Sequence, residues 1–223
     1  MMDAINRIFI NNSQMAPIMK VFFLMTALMF ITAIIFMMTS FVRVIITFSF
    51  IKSALGAQQI IPNQILIGLA LCITMFIMTP VVNDVMDNSI QPYMNKEIKL
   101  QKAVDEAKKP IVGFLLKQTR DNDLELFINN SPKKIDVKNK KDLPLTIIVP
   151  AFAISELKTA FQIGFIIYIP FLVIDLIVSS ILMSMGMFML PPAMVALPFK
   201  LLLFVMVDGW GLLVKSLIQS FTG

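Results

Sequence analysis

The sequence predicts an all-α, membrane-associated protein: two long, bent apolar helical hairpins around a small polar helical insert. Three observations lead there. Of 223 residues, 57% are hydrophobic and only 15% charged, against about 25% charged in an ordinary soluble domain. The charges are segregated. The 59 residues from Asp84 to Asp142 hold 22 of the chain's 33 charged side chains, 12 basic and 10 acidic. The flanking apolar blocks also contain uncharged stretches long enough to cross a bilayer as helices. Three segments follow: an apolar hairpin over 1–83, a polar insert over 84–142, and a second apolar hairpin over 143–223.

In the first block, Val21–Val42 is uncharged. As one helix it would extend about 33 Å at 1.5 Å per residue. It exceeds the apolar core of a secretory signal, and no small-x-small cleavage site follows, so it is expected to stay as a first membrane-type helix. Arg43 and Lys52 come next. Leu55–Gln59 is the expected turn, and Asn63–Asn83 the second helix behind Pro62. The basic residues around the turn place it on the cytoplasmic side and the insert outside.

The insert has folded character. Met94–Lys109 carries Met94, Ile98, Val104 and Ala107 among charges, an amphipathic pattern. Pro110 is expected to open another short helix and Asp123–Ile128 to form a third. Asn129–Asp142 combines turn formers with five lysines and reads as a loop. In the last block, helices over about 152–186 and 196–219 are expected, separated by an irregular stretch at Pro191-Pro192. Gly164, Ser179, Ser180 and Ser184 are small enough to let helices approach closely.

The chain has no His and a single Cys, Cys72. Zinc sites built on Cys and His therefore lack ligands, and Ser-His or Cys-His catalysis lacks its base. The net charge of +5 arises without a basic face, so it is no sign of nucleic-acid binding. A membrane enzyme working through carboxylates would need them clustered, and Asp175 and Asp208 stand far apart in sequence. No cofactor is called for.

Two groups of residues stand out. Arg43, Glu156, Lys158, Asp175, Lys200 and Asp208 interrupt apolar sequence, as do Lys52 and Lys215. Such residues either face a protein interior and pair, or mark helix ends and reach back to the interface. The second group is the string Ser184–Pro192 (SMGMFMLPP). Its alternating Met residues are unbranched and adaptable, while Gly186, Pro191 and Pro192 prevent a regular helix. It reads either as a buried loop filled with flexible side chains or as a deformable apolar seal around a passage. A four-span small-solute channel would instead show a polar stripe along one helix.

The strings SFVRVIITFSFIKSALGAQQIIPNQILIGLALCITMFIMTPVVND and DLPLTIIVPAFAISELKTAFQIGFIIYIPFLVIDLIVSSILMSMGMFMLPPAMVALPFKLLLFVMVDGWGLLVKSLIQSF resemble the FliP family of flagellar type III export-gate proteins. The likeness covers about 200 of the 223 residues. The injectisome counterpart is the near relative. Ala57-Gln58-Gln59, Pro62-Asn63-Gln64 and Lys117–Arg120 favour the flagellar branch. The resemblance implies a subunit that assembles in several copies, with FliQ-type and FliR-type partners, into a helical gate in the inner membrane of the basal body. FlhB-type switch and FlhA-type export proteins join it, and unfolded flagellar subunits pass through its centre. Membrane lipids are the remaining contact. The family's Met-rich gasket maps onto Met185, Met187, Phe188 and Met189; Phe188 stands where many relatives carry Met, a stiffer side chain that can still seal. The family's buried, subunit-tying charges map onto Glu156, Asp175 and Lys200. The resemblance also implies that the apolar helices pack mostly against one another and rise above the bilayer plane.

Overall fold

A computed structural model describes residues 17–58, 60–132 and 139–222. Gln59 of the expected turn and residues 133–138 of the expected lysine-rich loop lie outside them. All regular elements among the described residues are helical. The chain divides into two compact units, 1–37 and 38–223.

In the first unit, α1 (Pro17–Met37) exposes Phe22, Met25, Met29 and Phe30. It ends five residues short of the expected Val42. The hydroxyl of Thr39 accepts the Phe41 amide at 3.4 Å. This local side-chain bond competes with the helical ladder, as Ser and Thr do at helix boundaries.

The second unit begins with α2 (Phe41–Ala54), closed at Gly56, where φ is +70°. The amides of Gly56 and Ala57 donate to the carbonyls of Ser53 and Lys52, the paired bonds of a Schellman stop. Pro62 caps α3 (Asn63–Val85). That helix overruns its expected end: a π-turn at Met86–Ile90 and a short turn at Gln91–Met94 extend it into a 32-residue rod. Ser89, buried in the π-turn, donates to the Ala103 carbonyl at 2.7 Å, which ties the rod to α4.

The insert contains α4 (Leu100–Gln118) and α5 (Asp121–Asn129). Pro110 lies inside α4 and does not start a new helix. The missing amide is tolerated because Ala103, Val112 and Leu115 bury one face along the helix on both sides of it. Met94 and Ile98 precede α4. Val112, Leu115 and Leu124 share one core with Leu143, Ile147, Ile148, Ala151 and Phe152, so the insert packs onto the start of the next helix.

That helix, α6 (Leu145–Ser184), has 40 residues, about 60 Å of rise. It starts seven residues before the expected position because Pro144 caps it and Pro150 is absorbed in its first turns. After the Met-rich tip come α7 (Pro192–Met206) and α8 (Gly209–Thr222). The single helix expected over 196–219 is thus two, bent by 62° at Val207–Asp208. The main core joins Val44, Phe48 and Ile51 of α2, Leu66, Ala70 and Ile73 of α3, Phe171, Phe204, Leu213 and Leu217. Gly164 lies directly under the Phe50 ring, where a Cβ would come within 2.5 Å of ring carbons. The predicted close approach is real there.

By length and composition, Asn63–Met94 and Leu145–Ser184 can cross a membrane, and the bent α7–α8 pair can form a third span.

Candidate functional site

Two arrangements bring together the residues singled out by sequence. The first is an ionic hub on α6. Glu156 is fully buried and faces Arg43 of α2, which is 2% exposed. The Arg43 Nε donates to Glu156 Oε2 at 2.9 Å, and Nη2 bonds the other carboxylate oxygen. Nη2 also donates to Gln118 Oε1 of α4 at 3.0 Å, and Nη1 to the carbonyl and hydroxyl of Ser220 on α8 at 3.0 and 2.9 Å. The guanidinium lies over the Phe221 ring, 3.8 Å from its centroid, a favourable cation–π contact. One planar cation thus joins four helices. Arg suits the place because its fixed fork of donors serves several acceptors at once.

One residue earlier on α6, Ser155 extends the hub to α5. Its hydroxyl donates to Asp123 Oδ2 at 2.8 Å and accepts the Arg120 amide at 3.0 Å. Lys158 bonds the other Asp123 oxygen. Burial of Asp123 disfavours its charge, but the hydrogen bonds from Lys158 and Ser155 and the nearby positive charges of Lys158 and Arg120 outweigh it. They hold the carboxyl below the usual aspartate range. Lys158 itself is about half exposed.

The second arrangement is at the outer end of the α6–α7 hairpin. Lys200, 4% exposed, donates to Asp175 Oδ2 at 2.7 Å and to the Ala54 carbonyl of α2 at 3.0 Å. Val178, Leu182 and Ala196 pack beyond that pair. The tip follows. The amides of Gly186 and Met187 bond back to Met183 and Leu182, again a Schellman stop, with Gly186 at φ +72°. Pro191 caps α7 and Pro192 takes its first position, where a missing amide costs nothing. Between these two fixed ends Met185, Met187, Phe188 and Met189 project outward at 66%, 39%, 79% and 98% exposure. Within the chain the tip is therefore not a buried loop.

Asp208 differs from the other charges. It is exposed and takes a left-handed backbone, φ +50°. Its amide closes α7 on the Val205 carbonyl, its carbonyl accepts the Leu212 amide, and its Oδ1 accepts the Gly211 amide at 3.3 Å. One residue ends one helix and caps the next. Gly209 allows the Phe204 ring to sit where a Cβ would be 2.3 Å from it. Trp210 meets Phe204 and Phe48 edge-on.

Sequence reasoning singled out the charges in apolar sequence but missed Asp123, Ser155, Gln118 and Ser220. Asp123 had one usable signal: it stands four residues before Phe127, a partly buried residue of the same helix, so helical phase turns it inward. The uncharged partners carry no pattern that marks them.

Fold and site together define a helical membrane protein in which Arg43 pairs with Glu156 and Lys200 with Asp175 within the chain. The chain belongs to the FliP family: that family's model matches residues 24–217. It is 53% identical over 202 residues to the flagellar biosynthetic protein FliP of Bacillus subtilis, covering 91% of each chain. The FliP of Pectobacterium carotovorum is 48% identical over 198 residues, covering 89% of this chain and 76% of the relative. That of Aquifex aeolicus is 42% identical over 198 residues, covering 88% and 83%.

Proposed function

We propose that this chain is the pore-forming core subunit of the flagellar type III export gate, and that its methionine tip is the apolar gasket of that gate. Membership of the FliP family makes it a transport component of the flagellar export apparatus, located in the inner membrane at the basal body, and not an enzyme. Beyond that membership, the reading assembles several copies with FliQ-type and FliR-type proteins, beside FlhB-type and FlhA-type proteins. Unfolded flagellar subunits pass through the centre. The polar insert faces outward from the cell.

The observation that carries the gasket is the exposure of Met185, Met187, Phe188 and Met189 on a loop held at both ends. An apolar group as exposed as Met189, at 98%, is unfavourable in water. Several copies meeting on an axis would bury these side chains against one another. Unbranched Met side chains re-pack at little cost, so the ring could yield to any polypeptide and close behind it. Phe165, Ile166 and Leu176 of α6, all more than 60% exposed, add apolar surface that a neighbouring helix or lipid would cover.

The small-solute channel loses support because Arg43, Glu156, Lys200 and one oxygen of Asp175 are engaged with one another and with backbone carbonyls. The matched relatives carry flagellar names, which favours the flagellar reading over an injectisome one. The test replaces Met185, Met187 and Met189 by Ala in the assembled gate and measures ion leakage. The expected result is a leak under conditions in which the unaltered gate is tight. Unchanged tightness with intact assembly would overturn the gasket.

A further inference from the structure

We propose that a phospholipid with an ethanolamine headgroup sits along α4, with its phosphate and amine in a charged pocket of the insert and its acyl chains in the apolar groove between α3, α4 and α8. No residue of the methionine tip takes part, so the proposal stands apart from the gasket.

Two hollows meet on α4. The first is polar, about 380 Å³, and is lined by Asp105, Lys108 and Lys109 of α4 and by Asn139, Lys141 and Asp142 just before α6. The second is a wider groove of about 870 Å³. Its apolar wall comes from Phe76, Pro80 and Val81 of α3, Phe114 of α4, and Ile218 and Phe221 of α8. Gly113 lines both hollows. A Cβ built there would meet nothing within 4 Å, so no side chain blocks the place where they join. An apolar groove with a few polar groups at one end is the usual form of a small-molecule site.

The hollows lie in the order an amphiphile needs. α4 runs back along the end of the α3 rod. The Ala103 carbonyl is tied to Ser89 near one end of α4, and Gln118 reaches Arg43 at the other. Phe114 and Lys117 share the groove with Phe76 and Asp84. Residues 105–109 therefore stand nearer the insert end of the rod than the groove does. The rod, Asn63–Met94, is long and apolar enough to cross a membrane. With the rod across the bilayer, the groove falls at acyl depth and the charged pocket at headgroup level, in the leaflet on the insert's side. Phe76 is 64% exposed within the chain, and acyl chains would cover it.

The charges select the headgroup. Among the described residues, Lys108, Lys141, Asp105 and Asp142 have no ion-pair partner, while Lys109 is held by Glu106 at 2.6 Å. The two lysines suit a phosphate. The two carboxylates oppose a headgroup that is only anionic, and they suit an ammonium a few bonds from that phosphate. Phosphatidylethanolamine carries both groups. The groove's own charges, Asp84 and Lys117, are exposed, and the long lysine stem can follow the acyl chains toward the headgroup level.

The test is native mass spectrometry of the gate assembled in nanodiscs that hold phosphatidylethanolamine and phosphatidylglycerol in equal amounts. The expected result is a gate released with phosphatidylethanolamine retained in excess over phosphatidylglycerol. A gate released without lipid, as when a neighbouring copy fills the groove, would overturn the proposal, and so would the two lipids retained equally. Gly113→Leu adds a side chain at the junction, where the helix also gains by losing a glycine, and should lower retention about tenfold, the size of one charge-assisted hydrogen bond. Lys108→Gln combined with Lys141→Gln should lower it by a similar factor. Asp105→Lys combined with Asp142→Lys should reverse the preference toward phosphatidylglycerol. Unchanged retention in the first two variants, or an unreversed preference in the third, counts against the site. The same spectra give the mass of the gate, which separates lost lipid from lost assembly. Ion leakage does not enter this readout, so a failed gasket leaves the lipid site standing, and an empty lipid site leaves the gasket standing.

Discussion

Glu156→Gln is the substitution whose cost follows most directly from the structure. Glutamine keeps the volume and one carbonyl acceptor. It replaces the other oxygen by an amide that points its hydrogens at the Arg43 guanidinium, where a bond now runs. Glu156 is fully buried and Arg43 is 2% exposed, so water cannot supply the missing acceptor. Removing one partner of such a pair costs about 3–5 kcal/mol, because the remaining charge stays buried. That is roughly two to four powers of ten in the folding equilibrium, at 1.4 kcal/mol per decade, and a third or more of a stability near 10 kcal/mol. The chain's single Trp, Trp210, lies against Phe48 and Phe204 in the same unit. Its fluorescence reports unfolding of the detergent-solubilised protein in a denaturant titration. A cycle with Arg43→Gln should give a coupling energy of about 2–3 kcal/mol. A single-mutant loss or a coupling below about 0.5 kcal/mol would refute the hub.

Three further outcomes are expected. Gly164→Leu forces a side chain into the Phe50 ring and should destabilise by at least the 1–3 kcal/mol typical of overpacking, read in the same titration; a neutral result would mean that α2 and α6 do not meet there. The folded Asp123 carboxyl titrates below its unfolded value, so the stability it contributes is complete above about pH 4 and disappears as pH falls through the folded value. Asp123→Asn should flatten the acid limb of a stability–pH profile, and an unchanged limb would show that Asp123 contributes none of it. Gly209→Ala places a Cβ 2.3 Å from the Phe204 ring and should alter Trp210 emission and lower the thermal midpoint, whereas an unperturbed spectrum would show that the elbow is not packed as described.

Much of the helical architecture was legible because apolar runs must form helices where water is absent, and polar segments announce themselves by charge. Two of the misplaced boundaries share one cause. Pro110 was read as the start of a helix and the last block's first helix was set beyond Pro150, yet both prolines lie within helices whose faces pack along their length. The missing amide is a local cost, and burial on either side offsets it. The opposite error occurred at Asp208, where an apolar run reads as continuous helix but a capping carboxylate and a close ring contact bend it.

The candidate site divides in the same way. That Arg43, Glu156, Asp175 and Lys200 matter is written in the sequence, because a charge in an apolar run is too costly to be incidental. That SMGMFMLPP cannot be regular helix is written there too, in the conformational limits of Gly and Pro. Which charges meet is not, since Arg43 and Glu156 are 113 residues apart and no local pattern encodes a long-range pairing. Nor could the sequence tell an exposed tip from a buried one: Met side chains serve either place equally well, and only the folding of α6 against α7 leaves Met189 outside. Local chemistry sets what a segment can form and what it cannot leave unpaired. The choice among the partners that satisfy it belongs to the three-dimensional packing.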